Sequence, residues 1–216
     1  MTTQAGSPAN EGTGAPGARR VPRGTQLGLR AGDALMVVDV QWDFLPGGSL
    51  GVQGGDAVIP QLNAYMAAFD ARDLPVFLTR DWHPQDHCSF RSQGGPWPVH
   101  CVQGSRGAAW PPELVIPQRA RIISKATDRN VEAYSAFSGT SLLLVLRELG
   151  VQRLFIGGLA TDYCVHDTVL DARNHGFEVV VLMDAIRAVN VNAGDDARAL
   201  AEMAENGAIL LSAAGR

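Results

Sequence analysis

Apolar residues in this chain gather in short runs separated by stretches with helical spacing. LMVVDV (35–40), VFLTR (76–80), RIISK (121–125), RLFIGG (153–158) and EVVVLMD (178–184) are too short for buried helices and rich in β-branched residues, as strands buried on both faces are. A sixth run, AILLS, closes the chain. Between these runs Val58, Leu62, Tyr65, Met66 and Phe69 fall on one helical face, and Leu142, Val145, Leu146 and Leu149 on another. Gly150 and Gly176 stand where helix C-terminal stops are expected. Strands alternating with helices predict crossover units. The fold class expected is therefore α/β, a three-layer α/β/α domain with a central, mainly parallel six-stranded sheet. The 216 residues suit one such domain.

The first 32 residues break the pattern. They are rich in Gly, Pro, Ala and Thr and poor in large apolar side chains, so they are read as a disordered tail preceding a domain over 33–216. Arg19 and Arg20 form a pair that no apolar segment follows, which argues against an export signal.

Composition narrows the classes further. Hydrophobic residues make up 46% and charged residues 19%, with a formal net charge of -4. Nothing here favours nucleic acid or a membrane as a partner. Three cysteines, Cys88, Cys101 and Cys164, are too few and odd in number for a disulfide framework. They point to a reducing, cytoplasmic setting and to a free thiol with some task. A small-molecule substrate is the expected partner, and homo-oligomerisation stays open.

In open α/β sheets ligands bind beyond the carboxyl ends of the strands. The first four runs end at Asp39, at Asp81, at Lys125 and in GLATDYC, which delivers Cys164 to the start of a helix. Each residue alone has a plain structural explanation. A lone cysteine is usually a small buried hydrophobe, Asp39 could cap a helix, and Lys125 could snorkel to the surface. Together they bring two carboxylates, an amine and a thiol to one edge. At a helix N-terminus the thiolate of Cys164 would be favoured. Asp39 could accept the thiol proton if its pKa were raised, and the charge of Lys125 would hold both.

A second concentration of chemistry lies in DWHPQDH (81–87) and GPWPVHC (95–101), within a long segment rich in Pro, Gly, Trp and His. A loop of that length inside a compact domain is more often functional than idle. Asp81, His83, His87 and His100 place one carboxylate and three of the five histidines within twenty residues. Asp81 and His83 are two apart, so an extended backbone points both the same way. This mixed nitrogen and oxygen set suits one divalent transition metal ion, Zn, Fe or Mn, with open coordination positions.

The stretches DVQWDFLPGGSLGV, TRDWHPQDHCSF, WPVHCVQGS, AYSAFSGT, GGLATDYCVHDTVLDA and DAIRAVN resemble those of nicotinamidases (pyrazinamidases) within the isochorismatase-like cysteine hydrolase superfamily, in the same order and spacing. The resemblance implies hydrolysis of the linear carboxamide of nicotinamide to nicotinate and ammonia through a cysteine thioester, in NAD salvage. It implies Asp39, Lys125 and Cys164 as the catalytic triad. It implies Asp81, His83 and His100 as metal ligands, with His87 a fourth ligand or near neighbour. Phe44 and Trp97 would sandwich the pyridine ring, with Tyr134 near the pocket. A cis peptide is expected between Ala160 and Thr161, turning the N–H groups of Ala160 and Cys164 into an oxyanion hole. Three residues depart from the pattern: Ala126 where glycine is common, Trp110 in place of phenylalanine, and His166. Related cysteine amidases acting on ureido, carbamoyl or biuret-like substrates are the alternative; they are not expected to carry the metal cluster. Isochorismatases lack the cysteine. A non-catalytic metal-binding scaffold of this fold is the alternative from another class, and an intact triad argues against it.

Overall fold

The computed structural model describes residues 19–21 and 27–213. Seven strands form one sheet: β1 (Arg19–Val21), β2 (Asp33–Val38), β3 (Val76–Asp81), β4 (Arg121–Lys125), β5 (Arg153–Leu159), β6 (Glu178–Arg187) and β7 (Ile209–Ala213). Their order is β1-β7-β6-β5-β2-β3-β4, and every pairing is parallel. Six of these strands are those the apolar runs predict. The seventh, β1, is a three-residue edge strand within the segment read as a tail, and RRV is too short and too polar to show any strand periodicity. Most of that segment lies outside the described residues. Leu27 and Leu29 already pack on the core.

Among the described residues four α-helices cover the sheet: α1 (Ile59–Asp70), α2 (Leu142–Glu148), α3 (His166–Asn174) and α4 (Asp195–Glu205). Alternation along the strands divides the core between the two faces. Leu35 and Val37 of β2 meet Leu62, Met66 and Phe69 of α1 on one side. Ala34, Met36 and Val38 meet Leu142 and Leu146 of α2, Val169 and Ala172 of α3, and Met203 of α4 on the other. Burial on both faces is why β2, β5 and β6 read as continuous apolar runs; β4, expected to be buried likewise, is an edge strand that leaves Arg121 and Ile122 exposed. Helices α2 and α3 stop where expected: Gly150 and Gly176 follow their ends with φ of 66° and 90°, a conformation that favours glycine. The hydrophobic stripe on α2 is narrower than its spacing suggests, since Leu149 ends 39% exposed just past the last turn.

The chain runs β2-β3-β4 towards one edge and then β5-β6-β7 towards the other, so the order reverses between β2 and β5. A crevice opens at the carboxyl ends of strands flanking such a reversal. Among the described residues no helix is long and apolar enough to cross a membrane.

Candidate active site

The crevice gathers the strand-end residues. Asp39 sits immediately after β2 with φ of 48° and is fully buried. Its N–H donates to Thr79 Oγ1 at 3.2 Å, and the same hydroxyl donates back to Asp39 Oδ1 at 2.6 Å. The clasp orients the carboxylate towards Lys125, the last residue of β4, whose Nζ lies 3.0 Å from Asp39 Oδ2. That contact is an ion pair without a well-directed hydrogen bond, and Oδ2 accepts none from the other described residues. Lys125 Nζ donates to Asp81 Oδ1, to the Ala133 carbonyl at 3.0 Å and to Cys164 Sγ at 3.4 Å.

Cys164 arrives on a wide turn. After β5 the chain enters a π-type turn, Thr161–Val165, that leads into α3. Gly158 is obligatory on the way in, because a Cβ there would collide with the backbone of Val38. The cis peptide lies between Leu159 and Ala160, one residue before the expected position. The Ala160 carbonyl accepts the N–H groups of Tyr163 and Val165, both at 3.1 Å, which ties the turn to the strand end. Single-turn π segments recur at functional sites. Oxygens of Asp39 and Asp81 and Cys164 Sγ lie within 4.8 Å of one another.

Electrostatics distinguish these groups. Burial pushes the Asp39 carboxyl up from its ordinary value, against the pull of Lys125. Burial likewise pushes the Cys164 thiol well above the usual range, and the charge on Asp39 adds to that while Lys125 opposes it. Burial thus favours the protonated thiol at rest, so a base must take its proton before attack. Burial opposes the charge on Lys125 too, but Asp39 and Asp81 hold its pKa well above normal. Asp81 is the counterpart: burial resists its ionisation, yet Lys125 and His83 outweigh that and keep its carboxyl below the usual range. Two carboxylates around one ammonium thus have pKa values pushed apart, the pattern of assigned acid and base roles.

Beside this group, ligand atoms of Asp81, His83 and His100 converge within 4.8 Å. His83 Nε2 lies 3.5 Å from Asp81 Oδ2, and His100 Nε2 lies 4.0 Å from the same oxygen. Each imidazole has its Nδ1 at a backbone carbonyl, Ala126 at 3.2 Å for His83 and Pro98 at 2.8 Å for His100. With Nδ1 as donor, each Nε2 presents a lone pair, and burial depresses the His100 pKa, which favours the neutral ring. His83 Nε2 is buried with no hydrogen-bond partner, an orphan that a metal ion would satisfy. The donor set and its geometry fit a divalent metal. His87 is not part of that convergence. Its ring packs 4.2 Å from that of His83, but Nδ1 is engaged by Ser89 Oγ at 2.7 Å and Nε2 by the Val131 carbonyl at 3.1 Å.

The long 81–121 segment earns its place by carrying these ligands. His83 N–H donates to the Cys101 carbonyl at 3.0 Å and Gln103 N–H to the His83 carbonyl at 2.9 Å, clamping the two histidine-bearing stretches together. Asp43 Oδ2 accepts the Cys101 N–H at 2.7 Å and docks the Phe44 turn on the same stretch.

Phe44, Leu50, Asp81, Trp97, His100, Tyr134, Ala160, Tyr163, Cys164 and Val189 line a pocket of about 410 Å³, counting its open mouth. Trp97 Nε1 donates to the Tyr134 hydroxyl at 2.9 Å, and both rings pack against Tyr163, at 5.3 and 5.6 Å. Phe44 lies edge-on to His100 at 5.8 Å. All three expected aromatic residues are present at the pocket. Leu50, Tyr163 and Val189 were not anticipated, because nothing local marks them. Thr79 was legible in principle, two residues before Asp81 on strand β3. Gln41 is fully buried, and its amide pairs with both the N–H and the carbonyl of Asp81, each at 2.8 Å.

Comparison with known proteins gives the same picture. The isochorismatase domain model matches residues 33–215. A nicotinamidase of Escherichia coli is 39% identical over 202 residues, covering 84% of this chain and 95% of that protein. A crystal structure of Pyrococcus horikoshii pyrazinamidase in complex with zinc superposes with a TM-score of 0.80 at 49% identity, over 84% of this chain and 99% of that one. The PnC1 protein of L. infantum in complex with nicotinate superposes with a TM-score of 0.78 at 40% identity, over 84% and 93%. Fold, strand-end chemistry and these likenesses agree, and the chain belongs to the isochorismatase family.

Proposed function

We propose that this site hydrolyses nicotinamide to nicotinate and ammonia through a thioester on Cys164, as part of pyridine nucleotide salvage. The observation that carries the reading is the position of Cys164. Its Sγ stands 3.4 Å from Lys125 Nζ in a pocket walled by Phe44, Trp97 and Tyr134, with the Asp81, His83 and His100 cluster alongside. Nicotinamidases and pyrazinamidases among the relatives act on amides of this shape.

The steps follow from the groups present. Phe44, Trp97 and Tyr134 bind the flat ring and fix the carboxamide near Cys164. Asp39 takes the Sγ proton, the thiolate attacks the amide carbon, and the oxygen of the tetrahedral adduct faces the N–H groups of Ala160 and Cys164. One strong donor in such a hole contributes about 3 to 4 kcal/mol. Asp39 returns the proton to the amine, ammonia leaves, and the thioester remains. Asp39 then accepts a proton from water, whose oxygen attacks the thioester; nicotinate departs and the thiol is restored. Lys125 keeps Asp39 and Asp81 in place and stabilises the transient thiolate. A divalent metal held by Asp81, His83 and His100 would supply a Lewis-acidic anchor for the ring nitrogen.

The test pairs substrate with metal content. Purified protein is offered nicotinamide and, separately, a ureido-type amide, and ammonia is measured together with bound metal. Release from nicotinamide by protein holding one equivalent of metal is the expected result. Release from the ureido substrate alone would overturn the reading.

A further inference from the structure

Asp162 does not line the pocket, yet one pocket wall hangs from it. It lies in the π-type turn, two residues before Cys164. Its Oδ1 accepts the N–H of Val189 at 2.9 Å and its Oδ2 the N–H of Asn190 at 2.8 Å. One carboxylate thus grips two successive amides of the loop that follows β6, and charge-assisted bonds of this kind are roughly twice as strong as neutral ones. Val189 is the residue this loop contributes to the pocket. The far side of the loop is tied separately: Asn190 Oδ1 accepts the N–H of Asp196 at 2.9 Å, and Asp195 Oδ2 that of Asn192 at 2.7 Å, both in the first turn of α4. Without Asp162, no other hydrogen bond among the described residues holds the amide of Val189.

We propose that Asp162 is a positioning residue that fixes Val189 as a specificity-determining wall, so that the loop after β6 limits which ring substituents the site accepts. The inference rests on the nicotinamide reading above and deepens it. A wall tied to the nucleophile's own turn holds one side of the bound ring in contact. Releasing the wall weakens that hold and admits bulk at the ring edge.

The test compares wild type, Asp162→Ala, Asp162→Asn and Val189→Ala on nicotinamide and on nicotinamide carrying one ring methyl group. Asp162→Ala is expected to raise KM for nicotinamide about tenfold while kcat changes less than about threefold, the split of lost uniform binding. Asp162→Asn, which keeps one acceptor, should recover part of that loss. Asp162→Ala and Val189→Ala should each narrow the preference for the unsubstituted ring by about tenfold, within the range a methyl-sized change commands. A fall in kcat with KM and ring preference unchanged would overturn the proposal, placing Asp162 in support of the nucleophile turn alone. If Asp162→Ala does not fold, Val189→Ala decides by itself, and an unchanged ring preference there overturns the proposal. Wild type inert towards nicotinamide would instead remove the functional reading, a result distinguishable from the other two.

Discussion

His83 holds its Nε2 3.5 Å from Asp81 Oδ2, while the other oxygen of the same carboxylate receives Lys125. One aspartate therefore joins two functional clusters, the imidazoles on one side and the ammonium, thiol and Asp39 on the other. This linkage separates ligands from neighbours. Protein purified with its metal should carry one equivalent, and His83→Ala or His100→Ala should weaken metal binding by more than about 100-fold, beyond the usual cost of an outer partner. His87→Ala should still bind one equivalent, because both its ring nitrogens are engaged elsewhere. Elemental analysis and a zinc titration followed by thermal melting check this, since saturating metal at about 100 times Kd adds roughly 2.7 kcal/mol. Loss of metal in His87→Ala would place that residue in the coordination shell.

The pH profile should report the buried pair. Asp39 must be ionised to accept the thiol proton, and burial raises its pKa above the ordinary carboxylate value. Activity should therefore fall as pH drops through that raised value, and the acid limb of kcat/KM should lie above about pH 4, where an unperturbed carboxylate would put it. Asp39→Asn should lower kcat by at least about 100-fold, the lower end of what a general base supplies. An acid limb at the ordinary carboxylate pKa would contradict the assignment.

His166, one of the departures from the family pattern, has a structural explanation. Its Nδ1 meets Asp167 Oδ1 at 2.8 Å and its Nε2 meets Glu202 Oε2 at 3.0 Å, tying α3 to α4. The hydrogen bond to Asp167 raises its pKa first, burial opposes this, and Glu202 adds to the rise. A histidine with a raised folded-state pKa contributes stability that is full below about pH 6.5 and lost as pH rises through the raised value. Both carboxylates are substantially exposed, so the contribution is held to about 0.5 to 1 kcal/mol. Urea unfolding of His166→Gln should show that deficit at pH 6 and almost none at pH 9.

Ala126, another departure, stands at φ of 50° directly after Lys125, and its carbonyl receives His83 Nδ1. The left-handed region costs a residue with a Cβ roughly 1 to 2 kcal/mol, partly offset by the greater chain entropy of glycine. Ala126→Gly should stabilise the fold by up to about 1 kcal/mol and leave the carbonyl, and so the metal site, in place. Thermal unfolding checks this, and a lower melting temperature would count against the strain.

The sheet was legible chiefly from its central strands, whose interiors carry uninterrupted apolar runs, as Leu35, Met36 and Val37 do at 0% exposure, whereas edge strand β4 leaves Ile122 41% exposed. The strand-end polar residues stood out against these runs: Asp39 follows directly on the apolar residues of β2, and Lys125 closes the short run of β4. β1 stayed hidden because three residues show no period and their pairing with β7 is non-local. Val189 and Tyr163 stayed hidden because a pocket wall is defined by what lies across space from it. The burial that opposes ionisation of Cys164 stayed hidden because the local signal, a turn before a helix, carries no information on how deeply the rest of the chain covers the thiol.

The central claim is that Cys164 breaks the amide bond while the metal cluster serves binding. Ammonia release from nicotinamide by Cys164→Ala, measured alongside its metal content, tests this most directly. The account predicts a variant that holds one equivalent of metal and releases no ammonia above the uncatalysed background. Ammonia release at the wild-type rate by the metal-loaded variant would contradict it.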